Sequence, residues 1–115
     1  MQELLDKLNL VRGVGGCLLI SPDGLPMVTA LRQGSDEAGI AAGLSSLIDS
    51  AVRLCEQLGF GKSKAIQALA GQGGMLIIPV GPAFLAIIMD PAANLALLQL
   101  EARPFAERIA QRLSL

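Results

Sequence analysis

Histidine, tryptophan and tyrosine are absent from the 115-residue chain, and aromatic residues make up only 3% of it. Without histidine the chain lacks the commonest metal ligand and the commonest general base at neutral pH. Without tryptophan and tyrosine it lacks the usual platforms for stacking bases. Net charge is −1, acids and bases are interspersed, and there is no basic stripe for phosphates. Nucleic-acid binding is set aside on these grounds. Cysteine is scarce: Cys17 and Cys55 lie far apart in apolar contexts and are read as buried free thiols. Nothing suggests secretion, so a disulfide has little support. Long unbroken hydrophobic runs are also missing. The longest, Met75 to Met89, is interrupted by Pro79, Gly81 and Pro82 and falls short of the ~20 residues a membrane helix needs. Met1-Gln2-Glu3 opens an acidic amphipathic stretch, not the basic region and apolar run of a signal peptide. A cytoplasmic protein with no membrane insertion is expected.

What is abundant is apolar content, 52% against 17% charged residues. One domain spanning 1–115 is expected, large enough to bury roughly two-thirds of its unfolded surface without disulfides or metal. The apolar fraction is high for a small monomer, and the excess is expected to lie between subunits.

Leu4, Leu5, Leu8 and Val11 recur at helical spacing, and Arg12 to Gly16 ends that first helix. Cys17 to Ile20 reads as a buried strand, Ser21-Pro22-Asp23-Gly24 as a turn, and Leu25 to Leu31 as a second strand with Pro26 at its start or on an edge. A long helix follows from Ser35, its predicted N-cap, to about Leu58. Ile40, Leu44, Leu47, Ile48, Ala51, Cys55 and Leu58 form its predicted core stripe. Ala42, Ser46, Asp49, Arg53 and Glu56 lie opposite. Lys64 to Ala70 alternates as a third strand, Gly71 to Gly74 is a loop, and Met75 to Ile78 and Phe84 to Met89 are the fourth and fifth strands, joined by Pro79 to Ala83. Asn94 caps a last helix, in which Pro104 predicts a break between Leu100 and Arg103. The order is α-β-β-α-β-β-β-α, and the hairpin-length links make the fold α/β in the broad sense (α+β), with an antiparallel sheet.

The apparent chemical motifs do not hold. Gly61-Lys62-Ser63 resembles the end of a phosphate loop, but the preceding glycine position holds Glu56 and a strand follows, so no helix N-terminus is available. Gly13-Val14-Gly15 and Gly71-Gln72-Gly73 each precede a strand and read as turns. Asp23 and Asp90 do not read as an acid/base pair, because each sits in a Pro-containing turn, where a carboxylate caps backbone N–H groups. Ser45 and Ser46 lack a nucleophile-elbow pattern and, with no histidine, any ordinary triad. No catalysis, cofactor or metal is expected.

Val14 to Leu25, with its Asp-Gly turn, resembles the first hairpin of the Roadblock family of dynein light chains and its bacterial relatives. The small-residue-rich helix from Asp36 resembles that family too, as does Phe84 to Ile88 followed by Asn94 to Leu98. The family often has glycine where this chain has Ala96, a methyl group added to whatever the last helix packs against. The resemblance implies a single five-stranded antiparallel sheet, the long helix on one face and the terminal helices on the other. It further implies a non-catalytic homodimer built by third-strand pairing and side-by-side second helices. The residues expected at the dimer or partner interface are Ala42, Ser46, Asp49, Arg53, Lys64, Ile66, Ala68 and Ala70. A small Ras-like GTPase is the implied partner, with Arg53 the arginine to test as a charge supplied in trans. A sensory domain holding a small apolar ligand between sheet and helix is the alternative, and a structural interaction module without a GTPase is a third.

Overall fold

In the computed structural model, which describes residues 1–114, the two most apolar strands lie in the middle of a five-stranded antiparallel sheet. Its order is β2-β1-β5-β4-β3, with β1 Val14–Ile20, β2 Pro26–Ala30, β3 Ile66–Ala70, β4 Gly73–Val80 and β5 Ala83–Met89. A strand covered on both faces reads as a continuous apolar run, which is why Cys17-Leu18-Leu19-Ile20 is buried throughout. The helices are α1 Gln2–Leu8, α2 Glu37–Gln57 and α3 Leu95–Leu113. Leu5 and Leu8 of α1 and Leu98, Ala102 and Ile109 of α3 pack with Cys17, Leu19, Leu76, Leu85 and Ile87 on one sheet face. On the other face Ala41, Leu44 and Ile48 of α2 pack with Leu18, Ile20, Ile77 and Ala86. The expected division of helices between the two faces is what the structure shows.

Several expectations are corrected. The first helix ends at Leu8, and Val14-Gly15-Gly16 belong to β1. The space is close there: a Cβ on Gly15 would stand 2.6 Å from Asp90 Oδ1, at the tip of a side chain that would have to move, and one on Gly16 3.3 Å from a Leu31 methyl group. The N-cap of α2 is Asp36, not Ser35: its carboxylate accepts from the Gly39 N–H at 3.1 Å, while the Ser35 hydroxyl donates to the Arg32 carbonyl at 2.6 Å. Removing the cap in Asp36→Ala should cost about 1 kcal/mol, read as a lower urea midpoint with unchanged slope. α3 is capped by Asn94 as expected, the side chain accepting from the Leu97 N–H at 3.1 Å. It then runs through Pro104 without the predicted break. Pro104 and Leu100 face solvent, so water can take the carbonyl that proline leaves without a donor. The buried line Leu98, Ala102, Ala106, Ile109 is continuous across it. Ala96 is exposed, and its methyl group meets no packing surface.

β4 runs to Val80, past the expected end at Ile78, so Pro79 sits inside a strand between two neighbours. The register explains it. Ile66 pairs with Ile77, so Lys64 would stand opposite Pro79. A proline there cannot donate, and β3 begins at Ile66, later than expected from Lys64. Proline costs little where its neighbour strand has already stopped.

Candidate functional site

Because β3 pairs only with β4 and β2 only with β1, the sheet has two edges. They differ chemically. At β2, Pro26 has no N–H, and the Gln2 side-chain amide donates to the outward carbonyl of Thr29 at 3.0 Å, while the Asn9 amide donates at 2.8 Å to the carbonyl of Ala30, a residue paired with Cys17 of β1. The first two are ways in which edges are closed to further pairing. Among the described residues β3 has no such cover. Ala70 and Gly73 flank the Gly71-Gln72 loop and pair with each other, which fixes the alternation of hydrogen-bonding directions. The N–H groups of Ala70, Ala68 and Ile66 point to β4, and those of Leu69 and Gln67 point outward.

The α2 helix packs over β1, β5 and β4 through Leu18, Ile20, Ala86 and Ile77 and leaves the β3 edge of its sheet face thinly covered. Ile66, Ala68 and Met75 there are only partly buried. Two residues expected in the core stripe of α2 are instead exposed, Leu47 at 36% and Leu58 at 56%, with Leu54 at 54%. The buried stripe is narrower: Ala41, Leu44 and Ile48, continued by the partly buried Val52 and Cys55. Gly43, Leu47, Leu54 and Leu58 form an exposed second stripe beside it, bordered by the partly buried Ala51 and by Ile40, which packs on the core as expected. By length and composition α2 could cross a membrane, yet only 17% of its apolar stretch is buried. Its core stripe is nevertheless built into the sheet. The surplus is apolar surface with no partner in one chain. A monomer of 11.9 kDa is expected to expose about 5,900 Å². This chain exposes 6849 Å², an excess near the ~800 Å² that each partner buries in a standard interface.

The residues expected at the interface fall on this side of the molecule or beside it. Ala42, Ser46, Asp49 and Arg53 are exposed on α2, and Asp49 and Arg53 form an ion pair one helical turn apart. Lys64 is exposed just before β3, while Ile66 and Ala68 are partly buried and Ala70 exposed on it. Sequence reasoning missed Leu47, Leu54 and Leu58 as surface residues, along with Leu69, which is 65% exposed. Asp23 and Asp90 lie at opposite ends of β1, too far apart to act as a pair: Asp23 is in the β1–β2 turn, Asp90 after β5 with its side chain 4.0 Å from Arg32. Gly24, at φ 85° in that turn, leaves room for Ser45 of α2, which a Cβ would meet at 2.5 Å.

The thiols differ as well. Cys17 is buried, donating toward the Asn9 Oδ1 at 3.2 Å and the Leu5 carbonyl at 3.4 Å. Burial, helped by the charge of Asp6, pushes its pKa up to about 12. Cys55, expected to be buried, is only partly so. A thiol reagent at pH 8 should therefore modify one cysteine per native chain, Cys55, and two after unfolding. Fast modification of both in the native protein would contradict this packing. The raised pKa of Cys17 favours the fold fully below pH 9, the ordinary thiol value, and that contribution is lost as the pH rises toward 12. Among the described residues no group of three or more His, Cys, Asp or Glu side chains could hold a metal.

A two-sided sheet of this order, one edge closed and the other open beside an apolar helix flank, defines a small interaction domain. The Roadblock/LC7 domain family profile matches residues 1–89, and the chain belongs to that family. Its fold is similar to that of a Roadblock/LC7 domain from Streptomyces avermitilis, with TM-score 0.91 and 19% identity over 100% of this chain and 98% of that one. Myxococcus xanthus MglB gives TM-score 0.92 and 16% identity, covering 98% and 94% of the two chains. In sequence, an uncharacterized protein of Methanocaldococcus jannaschii is 25% identical over 109 residues, 95% of this chain and 96% of its own length.

Proposed function

We propose that this chain is a cytoplasmic homodimeric adaptor that regulates a small Ras-like GTPase by binding and carries no catalytic group of its own. The observation that supports the dimer is the pairing of an open β3 edge with an exposed apolar flank on α2. Two copies joined by their β3 strands would form one continuous sheet. Its outer edges would be the β2 strands, where Pro26 has no N–H and Gln2 occupies the Thr29 carbonyl, which disfavours further extension of the sheet. Leu47, Ala51, Leu54 and Leu58 of each copy would meet across the twofold axis, with Ile66, Ala68 and Ala70 beneath. Lys64, Ala42 and Ser46 would lie at the margin, and Asp49 and Arg53 would face the partner. MglB from Myxococcus xanthus shares this fold, and a further MglB structure is described as having a tetrameric arrangement.

The GTPase rests on the family resemblance. The test is a pull-down with a small Ras-like GTPase from the same genome, loaded separately with GDP and with a nonhydrolysable GTP analogue. Nucleotide-dependent capture supports the reading, and equal failure of both forms counts against it. If hydrolysis is stimulated, Arg53→Ala should abolish most of the stimulation while leaving capture in place. The sensory alternative has less support, because the middle of the layer between α2 and the sheet is filled by Leu18, Leu44 and Ile77, each 4% exposed or less. Only its end opens, as a groove of about 350 Å³ between Ile20, Ile48, Val52 and Phe84.

A further inference from the structure

On the face of the sheet away from α2, α3 stops short of the β3 edge. Gln67 pairs with the buried Leu76 and Leu69 with Gly74, so Gln67 and Leu69 point to the α3 side, where nothing covers them. Beside them a groove of about 400 Å³ separates α3 from the segment that leads into β3. Leu76 and Ile78 floor it, and Ala106 and Ala110 present a small-residue flank of α3. Lys64 and Arg103 stand at its rim with Glu107, and among the described residues none of the three is in an ion pair. The rim thus has two cations to one carboxylate on a chain whose net charge is −1.

We infer that this groove, continued over Leu69, docks an apolar, carboxylate-bearing segment of a partner protein. The floor would take the apolar side chains, the alanine flank lets a backbone approach closely, and Lys64 and Arg103 favour acids over bases. The groove is complete in one chain. The proposed dimer bears on it only through stoichiometry, since β3 pairing would bring two grooves to one trough above the joined strands.

The probe is a fluorescein-labelled amphipathic peptide with a leucine face and glutamate flanks, compared with its lysine-flanked counterpart by fluorescence anisotropy. The acidic peptide should bind with a Kd of about 10 µM and the basic one at least about tenfold more weakly. Lys64→Glu with Arg103→Glu should reverse that preference, and Leu69→Ser should weaken both peptides. Circular dichroism of each variant should match the parent, because these side chains are exposed in one chain. Sedimentation mass is read separately, since Lys64 and Leu69 lie beside the proposed β3 pairing, and peptide binding is compared between species of equal mass. A parent that sediments as a monomer yet keeps the charge preference would overturn the dimer and leave the groove standing. Equal binding of the two peptides, binding indifferent to the charge reversal, or no binding of either at about 1 mM would overturn the groove.

Discussion

Gln67→Pro is expected to turn a dimer into a folded monomer. The N–H of Gln67 points away from β4, so its loss leaves the β3–β4 hairpin intact. In a symmetric pairing of β3 with its twin, the same substitution removes a donor from each copy and sets a pyrrolidine ring against the facing strand. The combined effect should reach about 3 kcal/mol, a weakening of more than roughly a hundredfold in dimer affinity. Ala68→Pro is the control. The N–H of Ala68 is directed at β4, where the residue pairs with Met75, so this variant should lose stability as well as association. Sedimentation velocity across a concentration series, with thermal unfolding followed by circular dichroism, separates the two outcomes. A Gln67→Pro protein that stays as tightly dimeric as its parent would move the interface off the β3 edge.

Much of this architecture is legible in the residues, because the central strands and the turns state themselves locally. Cys17 to Ile20 and Leu85 to Ile88 are apolar on every residue, which marks strands covered on both faces. The Asn94 cap is local too, an asparagine standing just ahead of an apolar run at helical spacing. The misplaced features depend on neighbours that one sequence does not display. Pro104 reads as a helix break unless its position on the solvent side of α3 is known. Pro79 reads as a strand end unless β3 is known to stop before reaching it. The helix α2 is the instructive case. Its apolar positions form one broad arc, read as a single core stripe. The sheet takes only Ala41, Leu44, Ile48 and their neighbours. The arc is too wide for one packing surface, since a stripe facing a core covers little more than 100°. Gly43, Leu47, Ala51, Leu54 and Leu58 repeat at intervals of three and four residues beside the first stripe. That second repeat is the signal for a second partner. Glycine and alanine within it let a helix backbone come close. No similar signal marks Leu69, whose exposure follows from where α3 happens to lie.

Leu54→Glu should test that second stripe with an effect as large as the strand substitution. Leu54 is 54% exposed in the single chain, and glutamate is a good helix former, so the fold should survive nearly unchanged. In the proposed dimer each Leu54 loses most of its remaining exposure, an apolar gain of about 1–2 kcal/mol per copy. Glutamate removes that gain and brings two carboxylates toward the twofold axis. There, desolvation and like-charge repulsion both oppose association. A total of about 4 kcal/mol, or roughly a thousandfold in Kd, is expected. Leu47→Glu should behave alike, since Leu47 lies on the same flank. Ala42→Glu, on the polar side of the helix, should weaken the dimer less and instead reduce GTPase capture, since that side is left to the partner. Ultracentrifugation of the three variants, each checked by circular dichroism, decides between the two sides of α2. A tight Leu54→Glu dimer beside a monomeric Ala42→Glu protein would place the twin helix against Ser46, Asp49 and Arg53. The apolar flank would then be free for the GTPase, and Leu54→Glu should lose capture instead.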